Sequence, residues 1–482
     1  MRRLEVTVLR NSAFGLSAQV VIKVISFIFS IAVIRVLGAG SYGQYMAVGA
    51  FGYLFLFISE LGLSTYTVRE VARYREAEDS DAKIATLWAN VLPLRFVLTI
   101  IASVLVVAAA WLTQRPLIMI GAIALNTISW FLYAAQGSAS AMLSGHERLG
   151  VGYFALVLQQ VVFIALGTVS LFLALGYYGL IVANLISVAL MTIFTVTALR
   201  GVMPLRMRPN IRVWPALLRA SLPFAVVVFT LGLSYNLDTV LLNIFRGDIE
   251  TGYYNAAYRL IFTFVVLSNV INTALYPSLS RQSVNGSASL NGIYQRVLTY
   301  LLLAALPITF GVFILADQLV PFLFKSGFAP AIPALRILIW VLPLMYVSEF
   351  FGYVVLVDNR ERNVARAVLI STGINVGINL LLIPRYGYLA ASAMTVFTEA
   401  VLVAQYCWLL RSRLRHFDLG RVLVRPLFAV AAMCAVLMLS QSLGLLVAVG
   451  LGGAVYVGML VALGLIGRSE VQLVRGLLQP IS

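Results

Sequence analysis

The sequence predicts an all-α, polytopic membrane protein of about fourteen transmembrane helices, and three observations do so. Of 482 residues, 61% are hydrophobic and only 11% charged, whereas soluble domains carry about 25% charged residues. The apolar runs are about twenty residues long and unbroken, as membrane helices require and barrel strands of alternating polarity do not. Basic residues gather in alternate loops, the bias that sets membrane orientation.

Reading the apolar runs in order gives spans near residues 14–36, 46–68, 84–111, 117–143, 149–174 and 176–200. After a polar stretch they resume near 216–245, 254–280, 293–316, 331–357, 363–384, 386–410, 422–443 and 445–467. One side of the membrane collects Arg2, Arg3 and Arg10, then Arg69, Arg73, Arg75 and Lys83, Arg206, Arg208 and Arg212, Arg360, Arg362 and Arg366, and Arg411, Arg413 and Arg415. The other holds only Arg35, Arg115, Arg246, Lys325 and Arg385. Both termini are therefore expected in the cytoplasm, with the chain in the cytoplasmic (inner) membrane. The same bias accounts for the net charge of +16 through attraction to anionic lipid, so no nucleic-acid partner is implied. The apolar run behind the basic start continues to Val36 without a small-residue cleavage site and reads as a retained first helix. Cys407 and Cys434 lie in apolar spans and His146 and His416 are isolated in loops, so no metal cluster is indicated.

Four cations interrupt these spans: Lys23, Arg95, Arg259 and Arg336. A cation at mid-bilayer costs on the order of 3 kcal/mol and persists where it faces a polar cavity or a partner. Lys23 lies in a stripe with Gln19, Ser26 and Ser30, and Arg259 in one with Asn255, Thr263 and Thr273, each at helical spacing. Two facing cations without acids call for a dianionic ligand such as a lipid diphosphate. Arg95 either joins them, reaches cytoplasmic headgroups or pairs with Glu60; Arg336 either joins them or snorkels. Tyr235, Tyr258, Trp130 and Tyr133 are candidate sugar-stacking rings, although in a chain with 11% aromatics helix packing or interface anchoring is the more ordinary role.

The chain also repeats itself. Arg35 precedes Tyr42 by seven residues and Arg246 precedes Tyr253 by seven, at an offset of 211. Such weak symmetry marks transporters built from two bundles with the substrate site between them. The expected organisation is an N-terminal lobe of six spans (1–200), a linker (201–215), a second lobe of six spans (216–411), a two-span appendage (421–467) and a cytoplasmic tail (468–482).

Four segments then carry a family resemblance: RVLGAGSYGQY from Arg35, ELGLSTYTVREVAR from Glu60, LDTVLLNIFRGDIETGYYNAAYRL from Leu237 and GINVGINLLLIPRYGYLAASAM from Gly373. In this order and spacing they resemble the polysaccharide transporters of the multidrug/oligosaccharidyl-lipid/polysaccharide exporter superfamily. The resemblance implies a flippase, not an enzyme, that moves polyprenyl-diphosphate-linked oligosaccharide to the outer leaflet by alternating access, alongside other glycan assembly proteins. No phosphate-binding Gly-rich loop for ATP is present. The alternatives are a drug/cation antiporter of the same superfamily and a non-transporting scaffold.

Related peptidoglycan-precursor flippases imply a sodium site, and the positions that resemble it here are Asp238, Asn375, Asn379, Ala391 and Thr395. Asn379 stands where those relatives carry an acid, which lowers the charge available to a hard cation. Sodium is one expected coupling ion. Protons through Asp238, Glu349 or Glu399, the membrane potential or substrate gradient, and a purely structural network are the others.

Overall fold

A computed structural model describes residues 2–75, 79–205, 207–283, 287–358, 360–415, 417–418 and 420–465, with side chains omitted through residue 21, at 149, 226–228, 230–231, 234 and 269–291, and at 420–421. Gln19, Ser234 and Thr273 as side chains, His416, and the tail 468–482 lie outside that description. Among the described residues all regular structure is helical.

Helix α1 (Arg2–Glu60) is followed by α2 (Leu63–Tyr74), α3 (Ser80–Leu112), α4 (Leu117–Gly145), α5 (Leu149–Phe172) and α6 (Gly176–Arg200). The later helices are α7 (Trp214–Arg246), α8 (Asp248–Ser283), α9 (Ser287–Phe324), α10 (Ala331–Leu338), α11 (Val341–Val357), α12 (Glu361–Leu409), α13 (Arg411–Leu414), α14 (Arg425–Leu439) and α15 (Leu445–Ala462). Ten stretches among the described residues are long and apolar enough to cross a bilayer.

Two helices are each long enough to cross twice. α1 has 59 residues and α12 has 49, and at 1.5 Å per residue either exceeds twice the roughly 30 Å of a hydrocarbon core. Each breaks at one glycine, Gly38 with φ 69° and ψ 174° and Gly387 with φ 60° and ψ −142°. That backbone region is essentially closed to residues with a Cβ. A single glycine therefore does what a loop would otherwise do. Conversely, the span expected over 331–357 is interrupted, α10 giving way to α11 at Ile339 and Trp340. The prolines inside α3, α7, α9 and α12 are tolerated because neighbouring groups in membrane bundles re-satisfy the freed carbonyls.

The chain forms two compact units. One comprises residues Met1–Asn255 with Asn379–Gly387, and the other Ala256–Ile378 with Tyr388–Ser482. In the first, α4, α5 and α6 pack on one another and α1 packs on α3 and α7, around buried Trp88, Leu63, Val71, Met142 and Leu143. In the second, α9 is the organiser: α11 and α14 pack on it, and Tyr456 of α15 donates to the Leu303 carbonyl at 2.7 Å. The two C-terminal helices are thus anchored to this unit.

Candidate functional site

Of the four embedded cations, two have acid partners. Arg95 is only 4% exposed. Its guanidinium pairs with Glu60 and donates to Ser64 Oγ at 2.9 Å, the Ser59 carbonyl at 3.3 Å and Ser138 Oγ at 3.4 Å. Gly137 faces it so closely that an added Cβ would lie 2.9 Å from Nη1. Glu60 in turn accepts from the Ser64 backbone amide at 2.9 Å, so the pair fastens the turn from α1 into α2. Arg336 pairs with Asp317 of α9 at 2.5 Å and covers the Phe313 ring. Of the alternatives open to Arg95, the structure shows the pairing with Glu60, whereas the Arg336–Asp317 pair is exposed on both sides.

Lys23 and Arg259 differ. Both are exposed, and among the described residues neither has an acid within ion-pair distance. Arg259 follows the start of α8 by eleven residues, a depth of roughly 16 Å. It is therefore deeper than a start near residue 254 implies. The Ser26 and Ser30 hydroxyls return to the Ile22 and Phe27 carbonyls, both at 2.7 Å, and Thr263 to the Arg259 carbonyl at 3.0 Å. Their polarity is spent on the helix itself.

The acid of α7 has built-in partners. Asp238 accepts from Asn379 Nδ2 at 2.8 Å and from the Tyr254 hydroxyl at 3.0 Å. Both Asp238 and Asn379 are buried, and the Asn379 Oδ1 is sealed from solvent without a hydrogen-bond donor. In the second unit, Asn375 Nδ2 reaches Thr398 Oγ1 at 3.4 Å while its Oδ1 is likewise sealed and unserved. Thr395 Oγ1 returns to the Ala391 carbonyl at 2.9 Å, and Ser348 donates to Glu399. Asn379 thus turns its nitrogen toward the carboxylate, and a rotation of the amide would be needed to present both oxygens to a hard cation.

A further cluster escaped the sequence reading. The two repeated Arg-to-Tyr segments pack directly on each other. A Cβ on Gly43 would lie 1.8 Å from the Asp248 carbonyl oxygen, and one on Gly252 2.1 Å from that of Ala39. Asp248 accepts from Gln44 Nε2 at 2.8 Å and Asn243 Nδ2 at 2.7 Å. Arg115 donates to the Asn243 carbonyl at 2.6 Å and to its side-chain oxygen at 3.0 Å. Burial lowers the Arg115 guanidinium from its ordinary value, and nearby Asp248 opposes the shift. The repeat was visible in sequence; its self-association was not.

Among the aromatic candidates, Trp130 is buried at 2% exposure, which withdraws it from sugar stacking. Tyr235 is exposed, and Tyr258 packs edge-on against Phe262.

The family described as polysaccharide biosynthesis protein matches residues 8–283, more than half of the chain. A stretch of 166 residues is 26% identical to the probable low-salt glycan biosynthesis flippase Agl15 of Haloferax volcanii, covering 34% of this chain and 35% of that protein. The chain thus spans about a third of that relative's length. Among solved structures, the lipid II flippase MurJ in an inward closed conformation has a TM-score of 0.78 over 92% of this chain and 97% of its own, at 12% identity. An inward-facing multidrug resistance MATE family transporter of the MOP superfamily has a TM-score of 0.65 over 81% and 95%, at 14% identity. At these identities the solved structures share the fold. With its all-helical membrane architecture and this match over its first 283 residues, the chain belongs to the polysaccharide biosynthesis protein family.

Proposed function

We propose that this protein is a flippase of the cytoplasmic (inner) membrane that carries a polyprenyl-diphosphate-linked oligosaccharide from the cytoplasmic to the outer leaflet, with both termini in the cytoplasm. The observation that carries the reading is the pair Lys23 and Arg259, each exposed on a membrane-spanning helix with no acid partner among the described residues. Lys23 lies fifteen residues before the Gly38 break, roughly 22 Å along the axis and so well inside a core of about 30 Å. A charge at such depth is supported by an anion, and a diphosphate suits either group in charge and in hydrogen-bond acceptors. The prenyl tail remains in lipid while the glycan crosses in water. The name of the Haloferax volcanii relative, a glycan biosynthesis flippase, supports a glycan cargo. The shared fold would also accommodate a cation exporter, but unpaired positive groups repel lipophilic cations.

The chain moves its cargo by alternating access, without chemistry on the substrate. The Gly43–Asp248 and Ala39–Gly252 approaches form a clasp at the side that the basic-loop bias assigns to the exterior, and they serve as the outer closure. Coupling is to Na⁺ held by Asp238 and Asn379. The Asp238 carboxylate supplies the charge that a hard cation follows, and rotation of the Asn379 amide would add a neutral oxygen beside it.

The test is display of surface glycan by cells dependent on this protein. Lys23→Ala and Arg259→Ala should each abolish display at unchanged protein levels. Normal display from both would sink the reading and favour a scaffold.

A further inference from the structure

Three membrane-spanning helices of the first unit converge their polar side chains on one hydroxyl. The Tyr133 hydroxyl of α4 accepts from Gln159 Nε2 of α5 at 3.0 Å and donates to Asn184 Oδ1 of α6 at 3.4 Å. Gln159 lies ten residues from the start of α5 and thirteen from its end, and Asn184 eight from the start of α6. Every member of the cluster is thus at least roughly 12 Å from a helix end.

Interhelical hydrogen bonds of this kind often serve only as glue, worth about 0.6 kcal/mol each on average. Glue alone leaves two features unexplained. Each amide spends one of its two polar atoms: Gln159 Oε1 and Asn184 Nδ2 have no partner among the described residues, yet neither is sealed from the surroundings. Asn126, two turns before Tyr133 on the same face of α4, has no side-chain hydrogen bond among the described residues and is only half-buried. Such groups do not point into acyl chains, where an unserved amide costs about 1–3 kcal/mol or more.

The faces agree. On α5, Phe154, Val161, Val169 and Phe172 form one exposed apolar stripe, while Tyr153 and Leu156 are exposed outside it. Gln159 points away from that stripe by the 100° helical step, with Leu156 one turn before it. It is one turn from Phe163, which packs edge-on against Phe29 of α1 at 5.5 Å. Lys23 precedes Phe29 by six residues on α1. The cation assigned to the diphosphate and the amide of α5 therefore stand on adjacent helices, both on the N-terminal side of the Phe29–Phe163 contact.

We infer that Tyr133, Gln159, Asn184 and Asn126 line a hydrated recess that binds the uncharged sugars of the cargo, reading their hydroxyl and amide groups. Its four named side chains offer both donors and acceptors and none is ionised, which is the complement of a carbohydrate and not of a phosphate. This rests on the flippase reading above and adds where the glycan is recognised.

The test uses single cysteines at positions 159, 184 and 161 in the full chain after replacing Cys407 and Cys434 with serine. Membrane vesicles are treated with a charged, membrane-impermeant methanethiosulfonate. Gln159→Cys and Asn184→Cys should react at least about tenfold faster than lipid-facing Val161→Cys, because the reactive thiolate forms where water reaches. Polyprenyl-diphosphate-linked oligosaccharide extracted from the producing cells should protect both, whereas polyprenyl diphosphate without sugar should not. Reaction no faster than at Val161→Cys would overturn the recess. Equal protection by the sugar-free lipid would overturn sugar recognition while leaving the flippase intact. Failure of the flippase reading would appear separately, as normal glycan display by both Lys23→Ala and Arg259→Ala.

Discussion

The backbone carbonyl of Asp248 lies so near Gly43 that a methyl group on residue 43 would come within 1.8 Å of its oxygen. No side-chain rotation relieves that contact, since the obstacle is main chain. The two halves of the internal repeat therefore meet through backbone, secured by Gln44 and Asn243 on the Asp248 carboxylate.

Gly43→Ala should force this clasp apart, at a cost of about 1–3 kcal/mol typical of overpacking. Surface glycan should fall severely while the protein still reaches the membrane. Gly49→Ala is the matched control, because nothing lies within 4 Å of a Cβ there, and it should be silent. Equal activity of the two variants would remove the clasp from the transport cycle.

Arg95→Ala would leave the half-buried Glu60 without its partner, a change that should cost less than the about 3–5 kcal/mol of breaking a fully buried pair. Thermal unfolding in detergent should show the loss. The double replacement Glu60→Leu with Arg95→Leu should recover much of it, since an apolar pair of similar volume is often neutral. A double variant that is stable yet inactive in glycan display would instead return Arg95 to the substrate path.

At the Asp238 site, Asp238→Asn should lower transport at least about tenfold and erase its dependence on sodium, because the carboxylate supplies the charge that a hard cation follows. Asn379→Asp adds a second carboxylate and should reduce the sodium concentration for half-maximal transport. Transport measured with Na⁺ replaced by K⁺ checks both. An indifferent wild type would end sodium coupling.

Charge-preserving exchanges separate binding from folding. Lys23→Arg and Arg259→Lys should retain much of the glycan display that the alanine variants lose. A charge-assisted hydrogen bond is worth about 1.5–3 kcal/mol, so each alanine variant should bind polyprenyl diphosphate roughly ten- to a hundredfold more weakly. Titration of the purified protein with that lipid measures the difference.

Much of the fold was legible because hydropathy is a local property. The apolar runs, their polar connections and the four interrupting cations can be read without knowing what any helix touches. The breaks were less legible. Residues 37–45 were read as a connection between spans and Gly387 as part of the twelfth span, whereas in each place two helices meet at a single non-helical glycine, Gly38 or Gly387. The interruption at Ile339 and Trp340 has a readable cause in Pro343, which cannot donate to the Ile339 carbonyl four residues earlier. Tyr133 was visible as an aromatic, but Gln159 and Asn184 drew no notice because single amides in long apolar runs have no spacing of their own.

By itself the sequence determined that this chain is a multi-spanning helical membrane protein with cations where the bilayer penalises them, since burial in lipid is enforced residue by residue along each helix. Only the tertiary structure decided which cations are spoken for. Glu60 lies 35 residues from Arg95 and Asp317 lies 19 from Arg336, and pairing across such distances is fixed by helix packing, which no local pattern encodes. The same packing brought two repeated glycine corners into backbone contact, so what was a symmetry on paper became a physical junction in the molecule.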